Sequence, residues 1–204
     1  MSTYYKATRP DGTDFYTGSV NYAEALASGE VLRHSETKKR RDDPQTYFSV
    51  SVEPADCTGF SWPCRLFRVE PVGQVMGSRR NPLQASPHKR AVSALRVVEE
   101  LPAWMALGPN GEAVAALIER AARLTADEAK ALTAAWAAAR DTARDTARDA
   151  ARAAAWAAAR DTARDAAWGA AGDAALALVV RDRISQEHFD ALYGPWASVT
   201  EDPR

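Results

Sequence analysis

Few residues of this 204-residue chain are of a kind and spacing that does chemistry unaided. Cys57 and Cys64 stand in a C-x6-C arrangement, which matches no usual metal spacing, and two thiols cannot build a disulfide framework. His34, His88 and His188 are isolated, so no His/Cys/Asp cluster points to a metal; His188, near Trp196, reads as a surface or capping residue. The run Lys38-Lys39-Arg40-Arg41-Asp42-Asp43 offers charge to a phosphate or a nucleic acid, but its mixed sign reads first as a solvated loop. No Gly-rich nucleotide loop and no G-x-S-x-G nucleophile element occurs.

The chain as a whole sets further bounds. With 26 Lys+Arg against 27 Asp+Glu, it lacks the basic excess of a general nucleic-acid binder. At 46% hydrophobic residues it can bury a core, as one domain or two small ones. No run approaches about 18 uncharged apolar residues, so no transmembrane helix is expected. The segment MSTYYKATRPDG lacks the apolar stretch of a signal peptide, and a cytoplasmic location is expected.

The elements that must position any site differ along the chain. Residues 1–104 carry 14 Lys+Arg and 12 Asp+Glu and most of the Tyr, Phe, Pro and Gly. Thr3–Thr8 reads as a strand and is followed by the turn sequence Arg9-Pro10-Asp11-Gly12. Thr46–Val52 and Cys64–Val69 also read as strands; Ala91–Val98 suits a strand or a helix; Asn21–Ala27 reads as a short helix. A small α+β domain over 1–104 follows.

Residues 105–204 read as an all-α, alanine-rich region. A helix is expected over Ala113–Leu124, and Thr125-Ala126-Asp127-Glu128 is a capping box that should start another. No Gly or Pro interrupts Ala126–Trp168, and 24 of residues 131–178 are Ala. One helix of about 65 Å is therefore expected over 126–168. A shorter one should cover Asp173–Arg183, and a last one should begin near Ser185 and stop at Gly194-Pro195-Trp196.

AAWAAARDTARD recurs identically at 134–145 and 154–165. Twenty residues rotate a straight helix by roughly 200°, so Trp136 and Trp156 face opposite sides, and Trp168 returns to the first. Both faces need something to pack on, which suggests a homo-oligomer or a partner protein through Trp136, Trp156 and Trp168. The Arg-Asp steps from Arg140 to Asp149 read as a solvated stripe or as a charge ladder across a helix contact. The richness in Ala, Arg, Asp and Gly suits a GC-rich bacterial or bacteriophage genome.

Four segments of the first half carry a family resemblance. Arg65-Leu66-Phe67-Arg68-Val69-Glu70-Pro71-Val72-Gly73 resembles the R-I-Y-V-V-E-P-T-G strand and turn of the rifampin ADP-ribosyltransferases. Asn81-Pro82 with Ala91–Leu101 resembles that family's N-P-T-R-S-Y-R-T-R-E-P-L-R-V-V-G-E-V segment. Thr46–Ser51 resembles its V-Y-F-T-A-T strand, and Tyr5–Thr8 sits where it has F-H-G-T. The likeness covers residues 4–104 and none of the helical half.

The resemblance implies a split β-sheet that binds NAD and transfers ADP-ribose, through a His, Tyr and Asp triad. The Tyr falls on Tyr47, suited to stacking on nicotinamide; the His falls on Lys6, a departure. Before Asn81-Pro82, where the family has its Asp, the residues Val75–Arg80 include no carboxylate. The catalytic pair implied is thus Tyr47 and Lys6, and the cofactor-binding set Lys6, Thr8, Arg9, Tyr47, Ser49, Arg79 and Arg80. A carboxylate would stabilise charge developing on the sugar. Unless Glu70, Glu53 or another acid takes that place, transfer should be weak or lost while nucleotide binding survives. The alternatives are an active transferase with an altered triad, a binding module without catalysis, or a non-enzymatic assembly protein acting through its long helix. No metal is expected.

Overall fold

The structure, a computed structural model, describes residues 2–34, 47–57, 60–77, 88–138, 146–151 and 172–200. It is a mixed α and β protein with two compact units, Met1–Ala106 and Leu107–Arg204.

The first unit holds a seven-stranded sheet in which every neighbouring pair is antiparallel. Its strands are β1 (Tyr4–Thr8), β2 (Val31–Arg33), β3 (Phe48–Ser51), β4 (Arg65–Pro71), β5 (Val75–Gly77), β6 (Lys89–Val92) and β7 (Ala94–Leu101), in the order β2-β7-β4-β1-β3-β6-β5. Helix α1 (Tyr22–Ser28) packs against β7. Strand β4 forms because Leu66, Phe67 and Val69 supply buried β-formers, while Arg65, Arg68 and Glu70 keep partial contact with water. Phe67, Val69, Leu95, Val50 and Tyr22 share one apolar core, all 1% exposed or less.

The stretch Ala91–Val98 forms strand on either side of a bend at Ser93, which divides it into β6 and β7. The two strands consequently lie in different parts of the sheet, β6 against β3 and β7 against β4. The join in the middle is narrow. β1 pairs with β4 over five residues but meets β3 at the single register pair Tyr5↔Ser51.

Every regular element described from Gly111 onward is helical: α2 (Gly111–Ala121), α3 (Ala126–Ala138), residues 146–151, α4 (Gly172–Val179) and α5 (Gln186–Thr200), with a 3-10 turn at Arg181–Arg183. The capping box at Thr125 forms as the sequence predicts: Glu128 N–H donates to Thr125 Oγ1 at 3.2 Å, and Thr125 N–H donates to Glu128 Oε2 at 2.8 Å. Arg120 and the Thr125 donors hold the Glu128 carboxyl down at about 2.

The expectation of one helix over 126–168 lies partly outside the described residues, as do Trp156 and Trp168. Within them, Arg148 grips Asp173 through two bonds of 2.8 and 2.6 Å. The stop expected at Gly194-Pro195 does not occur, since α5 runs on to Thr200. A proline removes one helical hydrogen bond, but Trp196 is buried here. Ser198 Oγ donates to the Pro195 carbonyl and Thr200 Oγ1 to that of Trp196, so the last turn stays satisfied.

Candidate ligand-binding site

A cleft of about 880 Å³ lies in the first unit. Its walls come from β1 (Lys6, Ala7), the loop of residues 14–20, α1 (Tyr22), β3 with its leading residue Tyr47, and Lys89 of β6. It includes residues of strands on both sides of the β1–β3 join. Lys6 follows Tyr5, the last register pair, and its ammonium donates across to the Ser49 carbonyl at 3.2 Å.

The loop that forms one wall is built around Asp14. The turn Arg9–Gly12 closes with Gly12 N–H donating to Arg9 O at 2.9 Å, and φ of +88° at Gly12 is a conformation that glycine adopts freely. A Cβ there would also meet Ala23 Cβ at 2.5 Å. Asp14 is 6% exposed and accepts four bonds: Oδ1 from Tyr16 N–H (3.0 Å) and Thr17 N–H (2.7 Å), Oδ2 from Thr17 Oγ1 (2.8 Å) and Val20 N–H (3.1 Å). Burial pushes its carboxyl up, but these bonds and the charge of Lys6 outweigh burial and leave it below the ordinary value. The Arg9 guanidinium props the loop from behind by donating to Phe15 O at 3.2 Å. Tyr16, 73% exposed, stands on this rigid loop at the cleft.

Two lysines face the same space. Lys6 Nζ lies 5.7 Å from the centre of the Tyr22 ring, and Lys89 Nζ donates to Ser51 Oγ at 2.8 Å. Neither makes an ion pair with a described carboxylate. Burial, and then the like charge of Lys89, lowers the Lys6 pKa; burial also lowers that of Lys89. Cys57 lines the cleft as well, its thiol pushed up by burial; Cys64 is pushed up to about 12 by burial and by Cys57. The His34 ring rests on Phe48 at 4.2 Å, at an angle of 38°.

Of the residues singled out from sequence, Lys6, Tyr47 and Ser49 line the cleft. Thr8 and Arg9 do not: Thr8 is fully buried with its hydroxyl on Arg9 O, and Arg9 holds the loop. Arg79 and Arg80 lie outside the described residues. Glu70 stands 3.6 Å from Arg68, and Glu53 gives its N–H to Asp56; neither lines the cleft.

The sequence segment Val75–Arg80 holds no carboxylate, and the acid that lines the cleft comes instead from Asp14. Its oxygens are engaged by the loop, however, so it differs from a carboxylate held ready for a sugar cation. Sequence reasoning also missed Tyr22, His34 and Lys89. Asp14 had a local signal in the D-x-x-T spacing of a side-chain-closed turn. Lys89 had none, since only the β3–β6 register brings it opposite Ser51.

Comparison with family models, curated proteins and solved structures found no match. Among the described residues no group of three or more His, Cys, Asp or Glu could hold a metal ion, and no helix is long and apolar enough to cross a membrane.

Proposed function

We propose that the first unit is an ADP-ribosyltransferase-like module whose cleft binds NAD or a related nucleotide, with the transfer chemistry weak or lost. The observation that carries this reading is the state of the two lysines. Each ammonium offers three donors, yet Lys6 gives one to Ser49 O and Lys89 one to Ser51 Oγ, with no acid paired to either among the described residues. Half-buried cations with only neutral partners are suited to an anionic ligand, which would take up their remaining donors.

Other features fit the same ligand. Tyr47 and the His34–Phe48 pair offer flat surfaces for a planar ring, and the lysines suit a pyrophosphate. The narrow β1–β3 join supports the split-sheet reading. The engagement of Asp14 supports binding without efficient transfer, since an electrostatic stabiliser of this kind is worth about 10²–10³ in rate.

Titration calorimetry with NAD tests the reading. Saturable binding by the full chain is expected, weakened in Tyr47→Ala, with little nicotinamide released by either protein. Absence of heat at millimolar NAD would discard the nucleotide reading. Rapid nicotinamide release that Tyr47→Ala abolishes would restore an active transferase.

A further inference from the structure

Tyr22 is the first residue of α1, held by its N–H on Gly12 O at 2.9 Å. It is 1% exposed and packs on Phe67, with ring centres 6.4 Å apart. Its ring lies beneath the Lys6 ammonium, and it lines the cleft. No described residue hydrogen-bonds its hydroxyl.

A buried hydroxyl without a partner works against the fold, and phenylalanine would make the same ring contacts without it. The nearest acid offers no relief. Asp14 acts on Tyr22 electrostatically, but a carboxylate has about four acceptor sites and the loop fills four. The wall therefore presents donors, Lys6, Lys89 and Tyr22, while its one strong acceptor is already saturated. Donors lining one cleft with no free carboxylate among the described residues favour a ligand group that only accepts.

We propose that the Tyr22 hydroxyl is a specificity-determining donor of the cleft, which with the Lys6 ammonium holds a phosphoryl oxygen of the ligand. This rests on reading the cleft as an anion site, and it adds a residue that the resemblance does not supply. It gives Tyr22 two duties that separate cleanly, the ring for the core and the hydroxyl for the ligand.

The test is Tyr22→Phe in the full chain, with Tm measured without ligand and affinities for NAD and inorganic pyrophosphate measured by calorimetry. The expected result is a Tm equal to or above wild type, with affinity reduced about 10-fold or more, the usual effect of losing a hydrogen bond to a charged group. A fall in Tm would overturn the proposal, because the hydroxyl would then serve the fold. Unchanged affinity for a ligand that the wild type binds would overturn it while leaving the nucleotide reading intact. If the wild type binds pyrophosphate and not NAD, the nucleotide reading fails and the pyrophosphate affinity of the variant decides. Binding of neither by the wild type removes both.

Discussion

The β4–β7 ribbon and the cleft treat positive charge in opposite ways. On the ribbon, Arg65 grips Glu100 through two bonds of 2.7 and 2.6 Å, and Arg68 donates to Glu99 at 2.7 Å with Glu70 at 3.6 Å. These groups keep between 27 and 48% of their side-chain surface in water, where a salt bridge is worth little. In the cleft, Lys6 and Lys89 have only neutral acceptors among the described residues. The helical unit follows the ribbon's habit, with Arg120 on Glu128 and Arg148 on Asp173. Charge that is matched by acids on the ribbon and, among the described residues, by none in the cleft is charge placed for something other than the fold.

The sharpest break of this contrast is Asp14→Ala, because Asp14 is the one cleft group spent wholly on structure. Removing it orphans three loop N–H groups, those of Tyr16, Thr17 and Val20. A loss of about 3 kcal/mol is expected, given about 1.5–3 kcal/mol per bond to a charged acceptor and incomplete additivity. Chemical denaturation measures it. The pH dependence follows from its carboxyl lying below the ordinary 3.8. Its stabilisation is complete above the unfolded value and disappears as pH falls through the folded one. Asp14→Asn should therefore flatten the acid limb of the stability curve; an unchanged limb would show that the carboxylate is not what holds the loop.

Lys6→Met should act in the reverse direction. Removing a half-buried cation whose described partners are one carbonyl and the Tyr22 ring is expected to stabilise the empty protein by at most about 1 kcal/mol while weakening nucleotide binding at least 10-fold. The lysine's folded pKa lies below 10.5, so the unfolded chain holds more protons in the alkaline range, and wild-type stability gains from Lys6 as pH rises through the lowered value. Cys57 and Tyr22, both raised, pull the other way near and above their ordinary 9.0 and 10.0, and Lys89 adds to the gain. The wild-type minus Lys6→Met difference cancels these shared terms to first order. Its stability component should grow more favourable with pH while the ligand component shrinks. If both fell together, Lys6 would be a structural cation.

What could be read from the residues divides along the same line. The strand over Cys64–Val69 and the capping box at Thr125 rest on local pattern, alternation in one and a four-residue spacing in the other, and both stand in the structure. Tyr47, Lys6 and Ser49 fall into one cleft because β1 and β3 are neighbours in the sheet. Ser93 was opaque as a strand divider, since nothing in Ala91–Val98 names which neighbours its two ends will find. Arg9 shows the opposite failure. Its charge suggested a phosphate, and the turn it closes turned it inward to Phe15 O. Pro195 misled because burial of Trp196 and two hydroxyl-to-carbonyl bonds outweigh a lost backbone bond. Tyr22 looked like any apolar residue opening a helix, for its hydroxyl matters only once β1 carries Lys6 over the ring.

The smallest effect belongs to the ribbon. Glu100→Gln removes the partner of a bidentate arginine, and by geometry alone it looks costly. Arg65 raises no such demand, since its guanidinium stays partly in water and also lies over the Phe67 ring at 5.1 Å. Glu100 is held below its ordinary value by Arg65, so whatever the pair contributes exists above the unfolded carboxylate pKa and is lost as pH falls below it. A change of at most about 1 kcal/mol at neutral pH is expected, shrinking further in about 1 M salt, where the screening length falls to about 3 Å. Denaturation of Glu100→Gln at two salt concentrations measures it. A loss as large as that of Asp14→Ala, insensitive to salt, would mean that the ribbon's pairs are structural in the same sense as the Asp14 loop, and the contrast between the two regions would lose its meaning.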